Sequence, residues 1–162
     1  MKNSQQTHSI DWHQLAFYRV SAIGVIRSKS GQVLMVNEHG RYTLPGGGWD
    51  YGESLHACLV RELHEEIALT TPFHERVVGV LPFYNPNKAA WQMWVGCIID
   101  YDELEFGVGE SAADVQWFDR ADITDATLAG QLSRQLLELI DEQEKSYCRR
   151  QPDKYPEVAS EE

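Results

Sequence analysis

The residues of this chain best suited to chemistry crowd into positions 44–69, LPGGGWDYGESLHACLVRELHEEIAL. At about 100° per residue, a helix over this segment puts Glu62, Glu65 and Glu66 within one arc of roughly 100°. Leu59, Leu63 and Ile67 form the neighbouring stripe, which can face a core. Clustered carboxylates repel one another unless a cation sits among them. Oxygen ligands on a shared face suit a hard ion such as Mg²⁺, with Mn²⁺ as a substitute, and such ions usually also take phosphate oxygens. A plainer reading competes: RELHEE is also what a solvated helix face looks like, with Arg61 paired to Glu65 at i,i+4. Glycines 46–48 suit a turn or a ligand cradle. No Gly-Lys-Ser/Thr follows them, so they are not a P-loop, and their spacing is wrong for a dinucleotide fingerprint.

These residues must be held by regular elements. Residues 17–27 are rich in β-branched and aromatic side chains and read as a strand. A turn at 28–31 leads to a second strand at 32–37, which is expected to pair with the first as a hairpin. A short strand covers 41–44, and the glycines that follow are expected to be irregular. The helix is expected over 54–67, with Ser54 as N-cap and Glu53 against the positive end of its dipole. Strands are expected at 76–83, 91–101 and 115–118, with a loop at 84–90. A long amphipathic helix over 128–147 carries Leu132, Leu136, Leu139 and Ile140 on one stripe. Strands on both sides of one central helix, followed by a second helix, predict an α/β (α+β) fold: an α/β/α sandwich around a mixed central sheet.

The 162-residue length fits a single domain. Its expected limits are 17–147, preceded by an N-terminal segment (1–16) and followed by a polar, flexible tail (148–162). Acidic residues outnumber basic ones, 25 to 14, for a net charge of −11. That excess disfavours a nucleic-acid polymer as partner, since such binding needs a basic surface. No apolar run reaches the roughly 18 residues of a membrane span, and residues 1–11 lack the apolar core of a signal peptide. Cys58, Cys97 and Cys148 have no CxxC spacing, and reduced thiols in a cytoplasmic protein are expected.

Taken together, the loop and helix resemble the signature of the Nudix hydrolase family. That signature is Gly, five residues, Glu, seven residues, Arg-Glu, aliphatic, any residue, Glu-Glu, any residue, Gly, aliphatic. Here the matching residues are Gly47, Glu53, Arg61, Glu62, Leu63, Glu65, Glu66 and Leu69. A chance match of the Gly, Glu and Arg positions somewhere in the chain is on the order of one in a million. Pro45-Gly46 also matches the usual lead-in. One position departs: Ala68 stands where the family has a helix-closing Gly. A left-handed Ala there would cost about 1–2 kcal/mol.

The resemblance implies a Nudix-like fold and Mg²⁺-dependent cleavage of the diphosphate in a small nucleoside diphosphate derivative, by water attack on phosphorus. It implies Glu62, Glu65, Glu66 and the carbonyl of Gly46 as metal ligands. Arg61 and Glu53 would orient the ligand glutamates. The general base in this family is a box glutamate such as Glu65 or a carboxylate on a downstream loop. Glu110 is favoured for its glycine-rich and therefore flexible surroundings, with Asp114 in reserve and Glu103 and Glu105 behind. Trp49, Tyr84, Trp91 and Trp94 could stack on a base or belong to the core. A homodimer stays open. The rival function is a non-catalytic Nudix-fold module that binds a nucleotide without cleaving it.

Overall fold

The computed structural model describes residues 17–149. The N-terminal segment 1–16 and residues 150–162 of the tail lie outside the described residues. Two sheets and two long helices follow in the order β1 (Arg19–Val25), β2 (Val33–Glu38), β3 (Arg41–Thr43), β4 (Gly46–Gly48), α1 (Leu55–Ile67), β5 (His74–Asn85), β6 (Ala90–Asp100), β7 (Asp114–Phe118) and α2 (Leu128–Arg149). One sheet has the order β4-β1-β6-β5 and the other β3-β2-β7. β1 and β6 run parallel, and the other pairs are antiparallel, so the larger sheet is mixed.

The mixed sheet lies between the helices because its strands are apolar on both faces. On one face Ala22, Val95, Cys97 and Ile99 pack with Leu59, Leu63 and Ile67 of α1 and with Leu34 and Val36 of β2. On the other, Ile23, Val25 and Ile98 pack with Leu136, Leu137 and Ile140 of α2. Leu63 is fully buried, and Leu63→Ala would cost about 2–5 kcal/mol. This is the α/β/α sandwich expected from the sequence.

Two expectations change. β1 and β2 do not form a hairpin. Their contact is a bridge between Arg27 and Val33, together with a hydrogen bond from the Leu34 amide to the Ile26 carbonyl. β2 turns away to pair with β3 and β7. Alternation identifies a strand's faces but not its partner, which is why the hairpin was expected. The glycines are not irregular either. Gly46–Gly48 is a strand paired with Ser21, Ala22 and Ile23 of β1, since backbones that meet this closely leave no room for side chains.

Helix α1 begins and ends as its sequence suggests. Ser54 Oγ accepts from the Ala57 amide at 3.1 Å. Ala68 closes the helix in the left-handed conformation, φ 49° and ψ 29°. The Ala68 and Leu69 amides cover the carbonyls of His64 and Leu63. Among the described residues, no helix is long and apolar enough to cross a membrane.

Candidate active site

The strand of glycines lies against α1, and this contact builds the site. A Cβ on Gly47 would collide with the Glu62 carboxylate. The Gly46 amide donates to Glu66 Oε2 at 2.7 Å. β4 therefore fixes two glutamates of the helix, one by close approach and one by a hydrogen bond.

Arg61 fixes the first of them again. Its Nε and Nη2 donate to the two oxygens of Glu53 at 2.8 and 2.9 Å. Nη1 donates to Glu62 Oε1 at 2.6 Å, and Nη2 also reaches the Gly48 carbonyl at 2.9 Å. The guanidinium holds the Glu53 carboxyl down at about 2. Glu53 also accepts from the Asp50 amide, so it braces Arg61 rather than simply facing the helix dipole.

The remaining carboxylates sit in a hostile setting. Burial raises the pKa of Glu62 from its ordinary value, against the pull of Arg61. Glu66 is 2% exposed. Burial is the main cause that raises its pKa, the Gly46 amide opposes it, and the carboxylates of Glu38 and Glu62 add to the rise. Buried oxygens pressed together in this way fit a hard divalent cation, whose charge would relieve the repulsion. Among the described residues, no group of three or more His, Cys, Asp or Glu side chains is placed to hold a metal ion by itself.

Glu62 and Glu66 line a cleft of about 410 Å³. Glu38 at the end of β2 joins them. Arg19, Arg41 and Lys88 bring positive charge to the same cleft, and Phe83 and Trp94 give it an aromatic side. The two rings meet edge to face, with centroids 5.8 Å apart. Glu38, Arg19, Arg41 and Lys88 were missed in the sequence because they come from separate elements with no shared spacing.

Other predicted residues lie elsewhere. Glu65 is half-exposed, 3.9 Å from Arg61 Nη1, and lines a separate hollow on the outer flank of α1 with His56, His64 and Phe73. Glu110 is exposed and is not among the residues lining the cleft. Its loop is docked on the end of α1. The amides of Gly107, Gly109 and Ser111 donate to the carbonyls of Ile67, Glu66 and Glu65, and Ser111 Oγ donates to Glu65 as well. A Cβ on Gly109 would collide with the Glu65 carbonyl, so this glycine serves contact rather than the flexibility expected of it. Asp114 accepts from Tyr42 Oη and Gln116 Nε2, both at 2.6 Å. The Tyr42 hydroxyl lowers its pKa, which makes it a poor proton acceptor. Glu103 and Glu105 are exposed. Trp49 packs against the core, while Tyr84 and Trp91 meet edge to face at the surface. Cys58 and Cys97 are buried and free, and burial pushes each thiol up to about 11.

Comparison with known proteins agrees with this geometry. Residues 17–140 match the family model of the NUDIX domain. The NAD-capped RNA hydrolase NudC of Vibrio parahaemolyticus is 29% identical over 115 residues, which are 68% of this chain and 42% of that protein. The chain spans less than half the length of the curated relatives it matches. The MutT protein of Methanosarcina mazei superposes with a TM-score of 0.67 at 20% identity, over 85% of this chain and 99% of that one. The NUDIX domain of Shewanella oneidensis NrtR, complexed with ADP ribose, superposes with a TM-score of 0.60 at 23% identity, over 88% and 98%. At such identities the structural likeness speaks for the fold.

Proposed function

The chain belongs to the NUDIX family, and from that premise we propose that it is a Mg²⁺-dependent pyrophosphohydrolase that cleaves the diphosphate of a small nucleoside diphosphate derivative. One observation carries the proposal: a single cleft is lined by partly buried Glu62 and buried Glu66 together with Arg19, Arg41 and Lys88. That pairing of charges suits a diphosphate neutralised by a divalent ion on one side and held by protein cations on the other.

In this reading Glu62, Glu66 and the Gly46 carbonyl would hold the ion, while Glu65, expected beside them, faces the outer flank of α1 instead. When bound, the ion would neutralise the diphosphate, lower the pKa of an attacking water and stabilise the leaving phosphate. The chain's own groups do the rest. Arg61, braced by Glu53, keeps the Glu62 carboxylate in place, and the Gly46 amide does so for Glu66. Arg19, Arg41 and Lys88 bind phosphate oxygens, and Phe83 and Trp94 cover one side of the substrate. We assign acceptance of the water proton to Glu38, a cleft carboxylate that neither Arg61 nor the Gly46 amide holds. Its rivals are Glu110, on the loop docked at the end of α1, and Glu65, on the outer flank of that helix.

One relative is named for NAD-capped RNA, and one structural neighbour was complexed with ADP ribose. For this chain the net charge of −11 favours a free small molecule over an RNA chain. The placement of Glu65 outside the cleft favours the rival reading, a module that binds the nucleotide without cutting it. The two readings separate when a panel of nucleoside diphosphate derivatives is incubated with protein and Mg²⁺ and the products are resolved. Cleavage of at least one member into two phosphate-bearing products supports the enzyme. Tight binding with no cleavage supports the module.

A further inference from the structure

The cleft continues past the phosphate-binding cations onto the open face of the mixed sheet. Cross-strand partners project to the same face. Arg19 pairs with Gln92 and Gln92 with Phe83, so the three form one row across β1, β6 and β5. Ser21 and Trp94 belong to the next row. Arg19, Ser21, Phe83, Asn85, Gln92 and Trp94 all line the cleft.

Within this platform the amides have a fixed polarity. The backbone amides of Asn87 and Lys88 both donate to Asn85 Oδ1, at 3.0 and 3.3 Å. Two donors on one atom identify it as the oxygen, so the other end of Asn85 is the NH₂ group. That group donates to Gln92 Oε1 at 3.1 Å. Gln92 must then turn its own NH₂ group the other way. Gln92 is 7% exposed. Even so, among the described residues Nε2 is not a buried atom lacking a partner, and none of the hydrogen bonds described for Gln92 uses it as donor. It keeps its opening to the cleft. The turn thus sets, through Asn85, a donor beside Arg19 and next to the rings of Phe83 and Trp94.

We infer that Gln92 is a specificity-determining residue that selects a 6-oxopurine base, as in guanine, over adenine. The inference rests on the diphosphate reading of the cleft. A 6-oxopurine offers the acceptor O6 to the Gln92 amide donor, while Arg19 stays with the phosphates. Adenine places its N6 amino donor where O6 would be, and so sets donor against donor. The aromatic pair supplies contact to any base, and the amide chooses among them.

The test is calorimetric binding of the uncleavable α,β-methylene analogues of GDP and ADP, in Mg²⁺, to the full chain and to Gln92→Met, Gln92→Glu and Asn85→Ala. Thermal melts check that each variant is folded. The wild type should bind the guanine analogue about tenfold more tightly, the worth of one well-made base contact. Gln92→Met should remove the preference, and Gln92→Glu, which offers acceptors only, should turn it toward adenine. Asn85→Ala, which leaves Gln92 in place but frees its amide to flip, should weaken it. Equal affinities, tighter adenine binding, or a preference that survives in Gln92→Met or Asn85→Ala would overturn the inference alone. Binding of neither analogue to the wild type would overturn the diphosphate reading along with it.

Discussion

Arg61 grips Glu53 with two parallel hydrogen bonds, Nε to Oε1 at 2.8 Å and Nη2 to Oε2 at 2.9 Å, while its third nitrogen holds Glu62 at 2.6 Å. A planar fork can make this arrangement, and a lysine ammonium cannot. Arg61→Lys should therefore raise the Mg²⁺ concentration needed for half-maximal activity by about 10–100-fold, the usual cost of losing a residue that orients a ligand. Unchanged Mg²⁺ dependence in a titration of the variant would show that Glu62 does not need this brace.

The assignment of the base sets Glu38 against Glu110. Glu38→Gln should lower kcat by about 10²–10⁴-fold. Glu110→Gln should lower it by less than about tenfold, or about 1.4 kcal/mol, because its loop is tied to the end of α1. The opposite ranking in steady-state kinetics would return the role to the loop.

Ala68 sits in the left-handed conformation at the end of α1, φ 49° and ψ 29°. Glycine takes that conformation without a Cβ clash, so Ala68→Gly should stabilise the protein by about 1 kcal/mol. Urea unfolding of the two proteins measures the difference. A loss of stability would mean that the Ala68 side chain contributes more than its backbone strain costs.

How far the sequence went is clearest on α1. Its N-cap, its apolar stripe and its left-handed terminus all depend on neighbours a few residues away, and Ser54, Leu63 and Ala68 are where local spacing puts them. The arc of glutamates was only half legible. Helical geometry places Glu65 beside Glu62 and Glu66, but the cleft opens on the side of Gly46 and Gly47 and leaves Glu65 on the outer flank. Glu38, Arg19 and Gln92 could not be found by spacing: sheet pairing sets Arg19 of β1 beside Gln92 of β6, and Glu38 joins their cleft from β2 of the other sheet. Gly109 misled for a different reason. A glycine that permits motion and one that permits close contact look the same in a sequence.

A pH-dependent clip joins the end of β1 to α2. Arg27 donates to both oxygens of Glu144, at 3.1 and 2.7 Å, and Arg76 stands 3.5 Å away. Arg27 is the main cause that lowers the Glu144 pKa below its unfolded value. An acid with a depressed folded pKa stabilises above its unfolded pKa and loses that contribution as pH falls through the folded one. Glu144→Gln should thus lower the melting temperature near neutral pH, with a stability cost under about 1 kcal/mol for so exposed a pair. The gap from wild type should close as pH falls from about 7 to about 3, through the carboxylate range. A gap that stays constant across that range in thermal melts would show that the clip does not depend on the Glu144 charge.

The central claim is that water attacks phosphorus in the cleft lined by Glu62 and Glu66. Its most direct measurement is hydrolysis of a cleaved panel member in ¹⁸O-labelled water with Mg²⁺, with mass spectrometry of both products, for the wild type and for Glu62→Gln and Glu66→Gln. The account predicts one ¹⁸O in the phosphate of a single product for the wild type, and a rate at least about 10²-fold lower in both variants, which still fold. Label in a carbon–oxygen bond, or variants that cleave at the wild-type rate, would contradict it.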